Sequence, residues 1–427
     1  MKSKTSNVHE KNIKVAYIHD VDFPSAEANA LDAVWTASAL SRKVDTTFFM
    51  PRMKTSKSAF RQYYDIPASP LHLQSMYLDY LPDRFFIKNR NYYEQVLSFF
   101  LRYHPGWMGF QGHKILYIRH PKELLFWGLQ REHQKWLQGW ILCYESHDPL
   151  GLDLSKYHET NPFEIKNGKE GGYIQKVLRG AKNFDLIICN TQVLADDLES
   201  WSHNLIRPYF IPIASPLPRL SEPPRIRSFG GKIVLGYIGT IDQYRGVNIL
   251  LEAMHYLPDN YTLRIVGKFR QENGVDPNWL SKCMEDPHIS TRVEMKGPVP
   301  FHDIKKEIDQ CDIVLQPAST DILDSRYATP QKSFDYMVRG KPIVAGDVPC
   351  HRELFQNGKT ASLYHLDPQS LADCVVNLVK EPAMAEQIAR GAWEQSATYN
   401  FTRRTDDILS LVDRCWKERC DPSRTSQ

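Results

Sequence analysis

The stretch YATPQKSFDYMVRGKPIVAG, residues 327–346, decides how the rest of the chain reads. Thr329 suits a helix N-cap and Pro330 the first helical position. Phe334, Met337 and Val338 recur at i, i+3, i+4 spacing and predict one buried helix face. Gly340 is placed to end that helix in the left-handed conformation. Pro342, Ile343, Val344 and Ala345 then form a short apolar run of the kind a parallel sheet buries on both faces. Lys332 and Asp335 are left over in the first turns. A cation at a helix N-terminus opposes the helix dipole. It is accounted for if an anion sits there too, because free N–H groups and the ammonium would converge on it.

The same strand–helix alternation extends outward in both directions. Predicted strands lie at 232–238, 262–266, 293–295, 313–316 and 360–364, with helices over 246–256 and around 304–308. Four of these strand ends carry Gly or Pro, which lets backbone approach a ligand closely. Upstream, residues 212–231 (PIASPLPRLSEPPRIRSFGG) are rich in proline, serine and glycine and read as a domain boundary. Before that boundary, strands are predicted at 14–18, 46–50, near 73–77, and at 114–118, 140–144 and 184–189, with helices over 30–40 and 91–103. At 427 residues two domains are the default. The expected class is α/β, two Rossmann-like domains facing each other across a cleft. The expected boundaries are an N-terminal domain 1–215, a linker 216–231, a C-terminal domain 232–398, and a helix within 399–427 that returns to the first domain before a disordered tail.

In open α/β sheets ligands bind outside the carboxyl ends of strands. Arg245 falls at the first strand-to-helix turn of the second domain and Lys332 at the start of another helix there. Together with helix N–H groups they can neutralise a diphosphate without a metal. Asp335, one turn beyond Lys332, can accept from ribose hydroxyls; the plainer alternative is an ion pair with Lys332 or Arg339, worth only a few tenths of a kcal/mol. His147 ends a strand in the first domain, and it serves either a site or only its own loop. No Asp-x-Asp pair lies near these residues, and Asp321 and Asp324 in DILD are weak evidence for a metal site.

At this point the residues resemble a known family. GYIGTIDQYRGVNILLEAM (236–254), LRIVGK (263–268), VEMKGPVPFHDI (293–304), CDIVLQPA (311–318) and TPQKSFDYMVRGKPIVAGDVP (329–349) resemble, in order and spacing, the donor domain of the family-4-type retaining glycosyltransferases of GT-B fold. VAYIHD (15–20), ILCYESHD (141–148) and FDLIICNT (184–191) resemble the family's first domain more loosely. The resemblance implies transfer of a sugar from a UDP- or GDP-linked donor to an acceptor hydroxyl, with retention and without metal or other cofactor. It implies that Arg245 and Lys332 bind the diphosphate, that Thr329, Lys332 and Asp335 line the donor, that Val299 and Pro300 lie against the base, and that His147 lies near the sugar. Three positions depart from the pattern: Tyr327 stands where the family has a glutamate, Thr240 where an arginine follows the first glycine, and Ser25 to Asn29 where the first domain has a glycine-rich loop. A nucleotide-sugar epimerase of the same fold would need paired acid–base carboxylates, and no clear pair is visible. A non-catalytic sugar-nucleotide-binding relative is the reading Tyr327 favours.

Composition fits these readings. Apolar residues make up 42% and charged residues 24% of the chain, with a net charge of +3. That balance argues against a nucleic-acid-coating role and leaves room for a local basic site. The eight cysteines are scattered without a CxxC pair, as in reduced core positions. The N-terminal MKSKTSNVHEKN lacks the apolar core of a signal peptide, so a cytoplasmic protein is expected. The aromatic and basic residues 91–110 allow a glycan or lipid-linked acceptor and peripheral contact with a membrane.

Overall fold

The computed structural model describes residues 12–25, 27–66, 68–76, 92–152, 161–271, 275–319, 324–327 and 330–420. The chain divides into two compact units. One comprises residues up to Pro212 together with Phe401 onward, and the other runs Ile213–Asn400.

In the first unit seven strands form one parallel sheet: β1 (Ile13–Ile18), β2 (Asp45–Met50), β3 (His72–Ser75), β4 (His113–Ile118), β5 (Trp140–Ser146), β6 (Leu186–Cys189) and β7 (Pro208–Phe210). Their order is β3-β2-β1-β4-β5-β6-β7. β7 escapes sequence reading because it is three residues long and begins with proline, which an edge strand tolerates. The second unit has six parallel strands: β8 (Ile233–Ile238), β9 (Tyr261–Val266), β10 (Val293–Gly297), β11 (Ile313–Gln316), β12 (Ile343–Gly346) and β13 (Ser362–Tyr364). Their order is β10-β9-β8-β11-β12-β13. Each sheet is thus doubly wound, with its switch point between the first and fourth strands, where loops part and leave a crevice.

The central strands β8, β11 and β12 of the second sheet are buried on both faces, as their apolar runs require, whereas the edge strand β10 is largely exposed. Leu235, Leu263, Ile265, Ile313, Leu315 and Val344 enter one core cluster. Their sequence neighbours Val314, Ile343 and Ala345 enter the other, with Phe334 and Met337. The amphipathic helices Pro368–Lys380 and Pro382–Ser396 also belong to this unit and were not among the predicted elements.

The opening stretch folds with two differences. Its helix runs Gln331–Val338 with Pro330 as the N-cap rather than the first helical residue; Thr329 lies outside the described residues. Instead of one buried face, every residue from Lys332 to Val338 is buried. The reason is the proline-rich segment expected to be a linker, which instead packs on this helix as part of the second unit. Leu220 N–H donates to Val338 O at 3.0 Å, Gln331 Nε2 to Ala214 O at 2.7 Å, and Arg339 Nη1 to Pro218 O at 2.8 Å.

The last helix runs Phe401–Cys420, within the span expected for it. Phe401 packs on Trp35, ring centroids 6.5 Å apart. Arg404, almost fully buried, donates through Nη1 to Ile211 O at 2.9 Å and Pro212 O at 2.6 Å. The helix is therefore an integral part of the first unit's core. No helix among the described residues is long and apolar enough to cross a membrane.

Candidate functional site

In the second unit the loops at the carboxyl ends of β8, β9 and β10 are joined by backbone hydrogen bonds. Gly239 N–H donates to Val266 O at 2.8 Å, Ile241 N–H to Lys268 O at 2.9 Å, Arg270 N–H to Ile241 O at 3.0 Å, and Gly267 N–H to Gly297 O at 2.9 Å. This platform requires glycine at 267, where a Cβ would stand 1.8 Å from Gly239 O. The first helix then starts beside β11 because Gly246, at φ +71°, lets its backbone approach Ala318 O, which a Cβ would meet at 2.5 Å.

On this platform the cations gather around Tyr237 and Asp242. Asp242 is completely buried. Its Oδ1 accepts from Arg245 N–H at 2.9 Å, its Oδ2 is paired with the Arg245 guanidinium, and Arg270 Nη2 lies 2.8 Å from the same oxygen. Lys332 reaches in from its helix. Its Nζ donates to the Tyr237 hydroxyl at 3.1 Å and lies 4.3 Å from that ring's centroid. Burial drives the Lys332 ammonium down from its ordinary value to about 7, and the Arg245 charge adds to the depression while Asp242 opposes it. His351, also buried, is lowered to about 4 by burial and, more weakly, by Lys332. A dianion in contact with Lys332 and Arg245 would offset the desolvation of an ammonium so placed.

The structure thus brings Arg245 and Lys332 together. Asp335 stands apart from both. Its Oδ1 accepts from Ser215 Oγ at 2.6 Å, and burial raises its carboxyl to about 7 against the favourable contacts of Ser215 and Gln331. The suggested ion pair with Lys332 or Arg339 does not form, because Arg339 is bidentate on Asp309. Val299 is half-buried and Pro300 exposed at the end of β10, where Pro300 caps the helix Phe301–Asp309. Tyr327, in the glutamate's place, is 2% exposed. Asp242 and Arg270 were missed in the sequence. They lie inside or just past the quoted motifs, but a pairing between loops of different strands leaves no local spacing signal.

In the first unit His147 follows β5, half-buried, and its Nε2 lies 2.7 Å from Glu145 Oε1. Asn190 Nδ2 is 3.3 Å from its Nδ1, and the Arg119 guanidinium touches Nε2. Glu145 is completely buried. Burial pushes its carboxyl up, but Arg119, Arg404 and His147 outweigh that and hold it well below its ordinary value. Arg404 Nη2 is 2.6 Å from Oε1, and Arg119 spans to Asp32 at 2.7 Å. Asp32, Glu145 and His147 bring ligand atoms within 4.8 Å of one another. That spacing alone would suit a cation, but two guanidiniums already occupy the carboxylates, so the donor set does not fit a metal.

Two doubly wound sheets, each with its switch-point crevice and the second with a cationic one, define the GT-B class of fold. Solved structures of that kind cover nearly the whole chain. The Anabaena protein HepE in complex with UDP and glucose superposes with TM-score 0.66 at 14% identity, over 94% of this chain and 99% of its own. The sucrose-phosphate synthase of Thermosynechococcus elongatus gives 0.64 at 14% over 96% and 100%, and WaaG, of lipopolysaccharide biosynthesis, 0.62 at 13% over 93% and 99%. More particularly, residues 219–395 match the model of the glycosyl transferases group 1. Curated relatives include the D-inositol 3-phosphate glycosyltransferases of Corynebacterium urealyticum, 22% identical over 184 residues, and Catenulispora acidiphila, 23% over 186. The matched region is 42% of this chain in both and 42% and 43% of the relatives, so the chain spans about two fifths of the length of the curated relatives it matches.

Proposed function

We propose that this protein transfers a sugar from a UDP- or GDP-linked donor to an acceptor hydroxyl of a glycan, polysaccharide or lipid-linked sugar, with retention and without a metal. The observation that carries the reading is Lys332: a buried ammonium in the field of Arg245, at a switch point, inside the region that matches the group 1 model. The HepE complex with UDP-glucose supports a nucleotide-sugar donor of this class.

In the proposed reaction Arg245 and Lys332 stabilise the departing diphosphate, the place where negative charge accumulates. Val299 and Pro300 bound the base, residue 329 adds to the donor's surroundings, and Asp335 exchanges its Ser215 contact for ribose hydroxyls. His147, oriented by Glu145 and Asn190, steadies the sugar. A front-face mechanism suits a protein with Tyr327 in the glutamate's place, since it needs positioning and leaving-group stabilisation rather than a carboxylate nucleophile. The buried Tyr327 also favours a second reading, a binding protein without transfer.

The deciding experiment incubates the protein with a panel of nucleotide sugars and candidate acceptors, with and without EDTA, and measures released UDP or GDP. Acceptor-dependent release that EDTA leaves unchanged is expected; nucleotide binding with no release under any condition would establish the second reading. Asp335→Asn is expected to weaken nucleotide binding by about tenfold, the loss of one charged hydrogen bond. Unchanged affinity would leave Asp335 a packing group that fastens residue 215.

A further inference from the structure

We propose that Arg270 is a third diphosphate-binding cation, and that it supplies from the β9 loop the guanidinium that position 240 lacks. The inference rests on the donor reading above and adds to it a residue outside the family's sequence pattern. Thr240 ends the β8 strand turn, where the resemblance leads one to expect arginine. A phosphate responds to where a guanidinium stands, not to which strand carries it.

Three observations put Arg270 in that place. The backbone of residue 270 is tied to the β8 loop, its N–H donating to Ile241 O at 3.0 Å, one residue beyond Thr240. Its guanidinium Nη2 lies 2.8 Å from Asp242 Oδ2, the same buried oxygen that holds Arg245. Tyr237, whose hydroxyl accepts from Lys332 and donates to Thr240 O at 2.6 Å, lies within the fields of both Arg245 and Arg270. So one hydroxyl and one carboxylate organise all three cations.

The charge count agrees. With Lys332 protonated, Arg245, Arg270, Lys332 and Asp242 leave a net charge of two positive, equal and opposite to the diphosphate of a nucleotide sugar. Without Arg270 the buried Asp242 would cancel most of what Arg245 offers. Asp242 is therefore a positioning residue: it fixes the two guanidiniums, while Lys332 is held by the Tyr237 hydroxyl. Arg270 is half-exposed at its side chain, which suits a group that meets a ligand rather than a core.

The test titrates UDP and GDP calorimetrically into the wild type, Arg270→Ala, Lys332→Ala, and Arg270→Ala combined with Thr240→Arg. Arg270→Ala is expected to weaken the nucleotide that binds by about tenfold or more and to flatten the salt dependence of binding. Thr240→Arg in that background is expected to restore much of the loss, because it returns a guanidinium to the same loop. Thermal melting confirms folding, and should Arg270→Ala fail to fold, Arg270→Lys keeps the charge beside Asp242 and is expected to lose affinity to an intermediate degree. Wild-type affinity in the Arg270 variants alongside weak binding by Lys332→Ala would overturn the proposal and leave the donor reading intact. Unchanged binding in all of them, or no nucleotide binding by the wild type, would remove both.

Discussion

Lys332→Met is expected to abolish donor binding and turnover while making the protein more stable at neutral pH. Burial holds the Lys332 ammonium near 7 instead of 10.5, a difference worth on the order of 5 kcal/mol against the charged folded state. Between those two values the unfolded chain binds the extra proton, so wild-type stability rises with pH across this window. The advantage of the methionine variant should accordingly be largest at pH 7 and below, and shrink to nothing by about pH 10.5. Denaturant midpoints of the two proteins at pH 7 and pH 9.5 measure this. Equal stability at both values would mean the lysine is not buried as a cation. Binding carries the opposite signature. A nucleotide sugar keeps its charge across this range and requires the ammonium, so wild-type affinity should be level below pH 7 and fall by up to about tenfold per unit above it. A pH-independent affinity would separate Lys332 from the diphosphate.

Gly267→Ala is expected to destabilise the second unit by about 3 kcal/mol or more and to eliminate nucleotide binding. The new methyl would stand 1.8 Å from the carbonyl oxygen of Gly239, a backbone atom that cannot swing aside. Relief requires the β8 and β9 loops to part, and that breaks the platform that carries Arg245 and Arg270. Gly297→Ala is the matched control on the same platform. Its Cβ would meet nothing within 4 Å, and only its φ of +69° opposes the change, a cost of about 1–2 kcal/mol. If both substitutions lower the melting temperature alike, close loop packing is not what glycine 267 provides.

The fold was legible where chemistry is local. Apolar runs punctuated by Gly and Pro located the strands of the second unit to within a few residues, most plainly β8, β11 and β12, because a strand buried on both faces has no polar positions to disguise it. The pairing of Lys332 with Arg245 was legible for a related reason: each stands at a strand-to-helix turn, and the switch-point rule brings those turns together. What failed were relations across long stretches of chain. Ser215 meets Asp335 across 120 residues, so a segment read as a tether turned out to be a cover, and a helix read as one-sided turned out to be buried all round. The role of Glu145 was not legible, because nothing near it in sequence announces Arg404. Asp242 was unremarked between better-known motif positions, and its value as the anchor of two arginines exists only once two loops are side by side.

The arginine at 404 has a consequence for how the protein is made. The first unit is discontinuous: its sheet is complete in sequence by residue 210, yet the guanidinium that neutralises Glu145 arrives with residues 401–420. On a ribosome the whole second unit emerges in between. The nascent first unit must therefore wait with a buried carboxylate short of one of its two arginines and with the docking surface for the last helix uncovered, while the second unit is continuous and free to fold as it appears. Vectorial synthesis thus completes the later-made unit first, and a fragment ending at Pro212 would remain in the same unfinished state that the growing chain passes through.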